Sequence, residues 1–412
     1  MASQLPPNNR LSASVWVLGL VSMLMDISSE MIHSLLPLFM VGTLGASGLA
    51  VGILEGLAEA TALGVKVFSG TLSDYLGKRK WLAALGYGMG AFSKPLFAIA
   101  GSMAMVTTAR LLDRVGKGIR GAPRDALLAD LTPESMRGAA FGLRQSLDTV
   151  GACAGPLLAS GLMLLWANDF RSVFWVAVIP GLLATLLMVA GVREPAAAPD
   201  RKRINPLRRD QLRKLNRSYW WLVGLGMLFM LARFSEAFLV LRAQERGMSI
   251  AQVPLVMAAM SFVYALAAYP FGKLSDRISH RALLASGLLV LVAADAVLAL
   301  AQGWRGVVAG VFLWGLHMGM TQGLLSAMVA NAAPPQLRGT AFGLFNLASG
   351  AALLISSALA GWLWDRYGAA VTFGAGGVFA LLTLAALWFR AGTTTRCAGE
   401  ASPAEGVDSA GR

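Results

Sequence analysis

Charge is scarce in this chain: 14% of its 412 residues are Asp, Glu, Lys or Arg, against about a quarter in an average soluble domain. Cysteine and histidine are scarcer still, at two and three residues. Cys153 lies in an apolar segment and Cys397 near the C-terminal end, so no disulfide framework, Cys-x-x-Cys pair or thiolate metal site is available. No nucleophile and base stand at workable spacing, which excludes an enzyme. What fills the chain instead is 56% hydrophobic residues and a mean hydropathy of +0.62. Twelve membrane helices of about 20 residues would take up about 240 residues, which leaves short connectors and no large soluble domain.

The net charge of +13 comes from 35 Lys and Arg against 22 Asp and Glu. In an apolar chain this excess reads through loop topology, and no nucleic-acid partner is implied. Apolar runs and their breakers predict helices at about 12–41, 46–72, 81–101, 104–128, 137–166 and 171–192, then at 219–246, 249–275, 281–302, 305–332, 337–365 and 370–391. The first stretch holds Asp26, Glu30 and His33 and outruns a signal-peptide core, so it is expected as a helix of the mature protein. Between the two sets of six, Arg193 to Ser218 carries nine Lys/Arg and three acids. Lys78-Arg79-Lys80 and Arg277 to Arg281 add basic loops on the same side, whereas Gly42 to Gly48 and Gly101-Ser102 have no basic residue. The expected organisation is a cytoplasmic N-terminus at 1–11, a six-helix bundle at 12–192, a basic cytoplasmic linker at 193–218, a second bundle at 219–391 and a disordered cytoplasmic tail at 392–412. Both termini are thereby predicted on the cytoplasmic side of the cell inner membrane.

The two halves repeat each other. Gly70-Thr-Leu-Ser-Asp74 returns 202 positions later as Gly272-Lys-Leu-Ser-Asp276, and Arg137-Gly-Ala-Ala-Phe-Gly-Leu143 returns 201 positions later as Arg338-Gly-Thr-Ala-Phe-Gly-Leu344. Two similar bundles around a central site can rock against each other and expose that site to either side in turn.

On these residues the chain resembles the major facilitator superfamily of secondary transporters, over nearly its whole length apart from linker and tail. Gly70 to Lys80 is similar to the loop that superfamily carries between its second and third helices, and Gly272 to Arg281 looks like a weaker second copy. The resemblance implies an all-α membrane protein of twelve transmembrane helices in two pseudo-symmetric six-helix bundles. It also implies an inner-gate charge latch at Gly70, Asp74, Gly77, Lys78 and Arg79, echoed at Gly272 and Asp276. Gly151-Ala-Cys-Ala-Gly155-Pro156 resembles the motif of proton-coupled exporters in the superfamily, although Ala159 and Ser160 stand where that motif ends in paired glycines. Small residues four apart permit close helix crossing and Pro156 bends the helix, so a hinge at the interface between the halves is expected. The run Asp113 to Ala126 resembles a prokaryotic subgroup of largely unassigned substrate, and Arg110 or Arg114 would fill the exporters' proton-relay position.

Charges inside the predicted spans complete the candidate site. Arg110, Asp113, Arg114, Lys117, Arg120, Arg124 and Asp125 follow spacings of three or four in the fourth helix. Intramembrane charge costs at least about 2.5 kcal/mol per residue, so these groups pair with one another or line a hydrated path. Seven acids in the N-terminal half (Asp26, Glu30, Glu55, Glu59, Asp113, Asp125, Asp148) oppose eight bases, Arg144 among them. That near-balance leaves the sign of the cargo open. The C-terminal half offers Arg233, Glu236, Asp295 and His317 among apolar residues, which suggests ion coupling in the first half and an apolar cargo surface in the second. The proton-site candidates are Asp26, Glu30 and Glu59, with Asp148 behind them, and the remaining charges form a cavity network. Asp26, Glu30 and His33 also read as ligands for a divalent metal such as nickel or iron. The function expected is proton-coupled antiport and efflux of a small organic molecule by alternating access, with protons and cargo as partners, no cofactor, and a monomer in the bilayer. A metal-cation exporter and an importer or facilitator of an organic anion are the alternatives.

Overall fold

The structure is a computed structural model describing residues 11–76, 79–133, 136–193, 215–275, 277–321, 323–334 and 337–399. Among the described residues twelve helices, three of them broken, follow one another. The first half comprises α1 (Ala13–His33, continued by Leu36–Gly42), α2 (Gly48–Leu76), α3 (Arg79–Ala98), α4 (Met103–Asp130), α5 (Arg137–Leu165) and α6 (Phe170–Gly191). The second comprises α7 (Arg217–Ala232, continued by Ala237–Glu245), α8 (Pro254–Ser275), α9 (His280–Leu300), α10 (Trp304–Thr321, continued by Leu324–Ala332), α11 (Arg338–Tyr367) and α12 (Ala369–Gly399). Among the described residues nine of these spans are long and apolar enough to cross a membrane by composition alone. The other three are α3, α4 and α10; α4 falls short because it carries the charge stripe. Phe68, Phe92, Leu164, Leu165, Tyr269 and Trp388 are exposed large apolar side chains, as expected of helices whose solvent is partly lipid.

Packing repeats as the sequence does. Within the first half α1 packs on α5 and α6, α4 on α2 and α3, and α3 on α6. Six helices further on the same scheme recurs as α7 on α11 and α12, α10 on α8 and α9, and α9 on α12. The contacts between halves obey the same symmetry, since α2 packs on α11 and α8 on α5. Two homologous bundles related in this way are the architecture a rocking transporter requires.

Three helices are broken, two of them for a local reason. In α1, Pro37 has no N–H to give the turn before it, and the helix restarts beyond Ser34 and Leu35. In α10 the second segment begins after Gly323. The break of α7 at Arg233 to Glu236 contains neither glycine nor proline. There the backbone is held from outside: the Ser235 amide donates to Ser357 Oγ at 3.1 Å and Ser356 Oγ donates to the Leu231 carbonyl at 2.9 Å, both from α11. The last helix runs on to Gly399. Residues 1–10, most of the linker (194–214) and 400–412 lie outside the described residues.

Candidate functional site

Glycine places the charge stripe of α4 in the middle of the first bundle. A Cβ at Gly116 would meet the Gly86 carbonyl oxygen of α3 at 2.7 Å, and one at Gly118 would meet the Ala62 carbonyl oxygen of α2 at 2.9 Å. Only glycine permits backbones this close. Wedged between two neighbours, α4 buries Arg110, Asp113, Arg114 and Arg120, while Lys117, between the two glycines, remains exposed. Its charged surroundings are Arg114, Glu59, Asp26 and Glu30, so it faces an internal polar space.

Most of the buried charges are paired. Arg110 Nη2 donates to Glu55 Oε2 at 2.5 Å, with the two side chains 2% and 1% exposed. Lys94 Nζ reaches Asp113 Oδ1 at 2.7 Å and Ser29 Oγ at 3.0 Å. Arg114 Nη1 meets Glu59 Oε1 at 2.8 Å and its Nε stands 3.6 Å from Asp113 Oδ2. Arg144 Nη1 donates to Asp148 at 2.7 Å and lies 3.8 Å from Asp125, which also accepts from Arg124 Nε at 3.1 Å. His33 sits 3.5 Å from both Glu30 and Glu55. A buried pair of this kind is expensive to break, because the surviving partner becomes an uncompensated charge.

Asp26 is not paired. Among the described residues it has neither an ion pair nor a hydrogen bond, although Asp148, Arg120, Lys117 and Arg124 surround it electrostatically. Arg120 lacks a partner for Nη1 and lies over the Tyr87 ring, 5.0 Å from its centroid. Tyr87 in turn hydrogen-bonds Ser22 at 3.2 Å, which accepts from Arg124 at 3.1 Å. Sequence reasoning missed Tyr87, Ser22 and Ser29, whose roles depend on which helices meet.

The second half contributes to the same space. Arg233 and Glu236, 3.6 Å apart, are carried in the break of α7. His33, Glu30 and Glu59 of the first half stand within electrostatic reach of Glu236. Tyr264 on α8, also missed, lies near Arg233 and Asp148. His317 is fully buried on α10, held through Nδ1 at 2.8 Å from the Gly287 carbonyl and packed on Phe229. Arg233 lies within its electrostatic reach.

The glycines of the α5 motif press on α1. A Cβ at Gly151 would come 2.7 Å from the Met23 carbonyl oxygen and 2.9 Å from Asp26 Cβ. One at Gly155 would come 2.7 Å from Glu30 Cβ and 2.9 Å from the Ile27 carbonyl oxygen. These glycines therefore close α5 onto α1 inside the first half and do not form the interface between halves, and Pro156 is buried beside them. The physical reason is that α1, carrying bulky acids, needs a groove, and the glycines supply it.

The halves meet along α2 and α11, from Gly48 and Gly361 at the end farthest from the 76–80 loop to Gly350 beside Ala60 and Gly343 beside Val67. Ser160 Oγ donates to the Ala251 carbonyl at 2.6 Å, and the Gly48 and Leu49 amides donate to Asp365 at 2.7 and 2.8 Å. Gly48, Gly52 and Gly56 press on Gly361, Ser357 and Leu354, and Phe238 of α7 reaches Gly52. At the opposite end Arg79 pairs with Asp130 and donates to the Ala126 carbonyl at 3.2 Å, tying α3 to the last turn of α4. Gly70 faces Ala122, whereas Gly272 has no described atom within 4 Å of an added Cβ, so the two loop copies pack differently. The side chain of Asp74, with Gly77, Lys78 and Asp276, lies outside the described residues.

The metal reading finds no support in the geometry. No group of three His, Cys, Asp or Glu side chains that could hold a metal is found among the described residues. His33 and Glu30 are turned toward Glu55 and its arginine, leaving Asp26 a full turn behind against Gly151.

Twelve helices in two homologous bundles around a shared polar centre define a secondary transporter. The family model of the Major Facilitator Superfamily matches residues 18–241 and again 222–406, and the chain belongs to that family: it is an integral membrane transporter, not an enzyme. It is 31% identical over 382 residues to an uncharacterized MFS-type transporter of Methanocaldococcus jannaschii, covering 91% of this chain and 94% of the relative. Identity is 26% to the multidrug resistance protein MdtH of Cronobacter sakazakii, over 84% of this chain and 85% of that one. The inner membrane transport protein YajR of Escherichia coli is 24% identical over 93% and 83%. Among solved structures the nucleoside transporter NupG superimposes with a TM-score of 0.79 at 13% identity, covering 91% of this chain and 98% of that chain.

Proposed function

We propose that the protein is a proton-coupled exporter of small organic molecules, exchanging protons for cargo across the cell inner membrane with both termini in the cytoplasm. The carrying observation is the close packing of Gly151 and Gly155 against Asp26 and Glu30. It puts the exporter-like motif of α5 in direct contact with an acid that has no ion pair. A movement of α5 against its neighbours then displaces Asp26 relative to Lys117, Arg120 and Arg124, and so changes the electrostatic cost of its charge. Protonation at Asp26 leaves those cations less neutralised, and deprotonation restores the balance. One charge moving through 100 mV supplies about 2.3 kcal/mol, enough to bias a cycle between two bundle arrangements.

Arg114 suits the relay role better than Arg110. Its partner Glu59 is 33% exposed toward the shared space, whereas Arg110 and Glu55 are shut away. Cargo would lie between this network and the Arg233, Glu236 and Tyr264 face, with the apolar second half forming the rest of the surface. The names of MdtH and YajR, a multidrug resistance protein and an inner membrane transport protein, support both the direction and the membrane. Basic residues at 78–80, in the linker and at 277–281 support the orientation. In that orientation Asp365 and Ser160 join the halves at the outer end.

The test is reconstitution in liposomes under an imposed pH gradient, with dyes, antibiotics, organic anions and divalent metals offered in turn. Exchange of an organic cargo for protons is expected. Cargo flux that ignores the gradient would overturn the antiport reading, and flux of a divalent metal alone would replace the cargo.

A further inference from the structure

Asp295 belongs to none of the networks above. It lies in the last third of α9, 1% exposed, and neither carboxylate oxygen has a hydrogen-bond partner among the described residues. Such a group is rare in a folded protein and calls for an explanation. An ionised carboxylate there would bear the full desolvation cost with nothing to offset it, whereas the neutral acid would not.

The surroundings are shaped to this side chain. A Cβ on Gly376 of α12 would fall 2.8 Å from Asp295 Oδ2, and one on Gly377 would fall 3.7 Å from its Cβ. The same point on Gly376 is 2.9 Å from Phe234 Cε1 and 3.3 Å from the Ala232 carbonyl oxygen. Phe234 also packs on Trp314 of α10, ring centroids 5.6 Å apart, and the indole Nε1 of Trp314 is likewise buried without a partner. Phe234 lies within the break of α7, between the two residues, Arg233 and Glu236, that this break presents to the transport cavity. From the packed elements the ionisable groups are Arg233, Glu236 and Arg242 on α7, the last fully buried with its guanidinium on the Leu298, Ala299 and Ala301 carbonyls at the end of α9, and His317 on α10, level with Gly287, two turns away along α9. The described side chains of α12 include no ionisable residue.

We propose that Asp295 is a second proton-binding site, carrying a proton in the present conformation and exchanging it with water when the α7 break shifts Phe234 away. The step is a simple transfer: the O–H bond of the acid breaks, the proton passes to entering water, and the carboxylate is left facing the loosened α7 segment. The inference rests on the transport cycle proposed above for the bundles, but its readout does not require proton-coupled flux.

Infrared spectroscopy of the purified protein reads the carbonyl stretch of protonated carboxylic acids directly. At neutral pH the protein should show such a band, and Asp295→Asn should remove it. The band should also weaken in Asp365→Asn, which releases the joint between halves at the outer end. Gly376→Ala, whose new methyl group presses on Oδ2, should shift the band while leaving the acid in place, and it serves if Asp295→Asn does not accumulate. A spectrum unchanged by Asp295→Asn, or unshifted by Gly376→Ala, overturns the proposal. A band lost in Asp295→Asn but indifferent to Asp365→Asn makes Asp295 a fixed structural acid and overturns it as well. Absence of proton flux in liposomes with all three spectral changes present would instead count against the coupling reading alone.

Discussion

The carboxylate of Asp365, near the end of α11, accepts the backbone amide of Gly48 at the first turn of α2, at 2.7 Å. It takes the Leu49 amide with its other oxygen at 2.8 Å. A side chain from one half thus caps a helix of the other, where unsatisfied amides and the helix dipole favour a negative group. Loss of a helix cap costs typically about 1 kcal/mol, which corresponds to roughly a fivefold shift in population between two conformers. Asp365→Ala is expected to shift the protein by about that factor toward the state parted at this end. Distances between spin labels on the 43–47 and 301–303 loops would show it; an unchanged distance distribution would remove Asp365 from the latch.

Gly155 has no room for a side chain. An added methyl group would stand 2.7 Å from Glu30 Cβ and 2.9 Å from the Ile27 carbonyl, and overpacking of this order costs about 1–3 kcal/mol. Gly155→Ala should lower thermal stability and slow transport together. Gly161→Ala, on the same helix with no described atom within 4 Å, is the control and should do neither.

Arg110 and Glu55 form the most enclosed pair in the molecule's charge network. Arg110→Ala or Glu55→Ala alone should cost about 3–5 kcal/mol, whereas joint replacement by apolar residues of similar volume should recover much of that. Thermal unfolding in detergent measures the cycle. Equal losses in the single and double variants would mean that the pair acts through cavity shape and not through charge.

Lys117 stands exposed among Glu59, Asp26 and Glu30, between two glycines that hold α4 in place. Lys117→Gln should change cargo affinity several-fold, with about 1 kcal/mol behind each such factor, and should leave helix packing intact. Binding isotherms with whichever cargo the liposome panel identifies would check this, and unaltered affinity with altered stability would make Lys117 a structural cation.

Much of the fold is written in the apolar runs. Every helix from α1 to α12 falls where a hydrophobic stretch and its flanking breakers place it, because a bilayer demands about 20 apolar residues per crossing. The break at Ser34 was within reach of a local reading, since Pro37 stands three residues on, and the one at Gly323 equally so. The break of α7 was not: the freed Ser235 amide is satisfied by Ser357 and the Leu231 carbonyl by Ser356, both on α11 and more than a hundred positions away. The same limit governs the site. Spacing alone brings out the stripes on α1, α2 and α4, but which acid keeps no partner depends on how helices pack. Glu59, one turn from Glu55, meets Arg114; Asp26, one turn from Glu30, meets a glycine. The placement of Gly151 and Gly155 against α1, in place of the interface between halves, likewise follows from tertiary geometry that no local pattern encodes.

Asp26 carries the account. In proteoliposomes holding an internal pH reporter, addition of cargo should drive proton movement with the wild-type protein. With Asp26→Asn cargo should still bind and exchange but move no protons, while Glu30→Gln retains a measurable proton signal. Cargo-driven proton movement of wild-type size in Asp26→Asn would contradict the assignment.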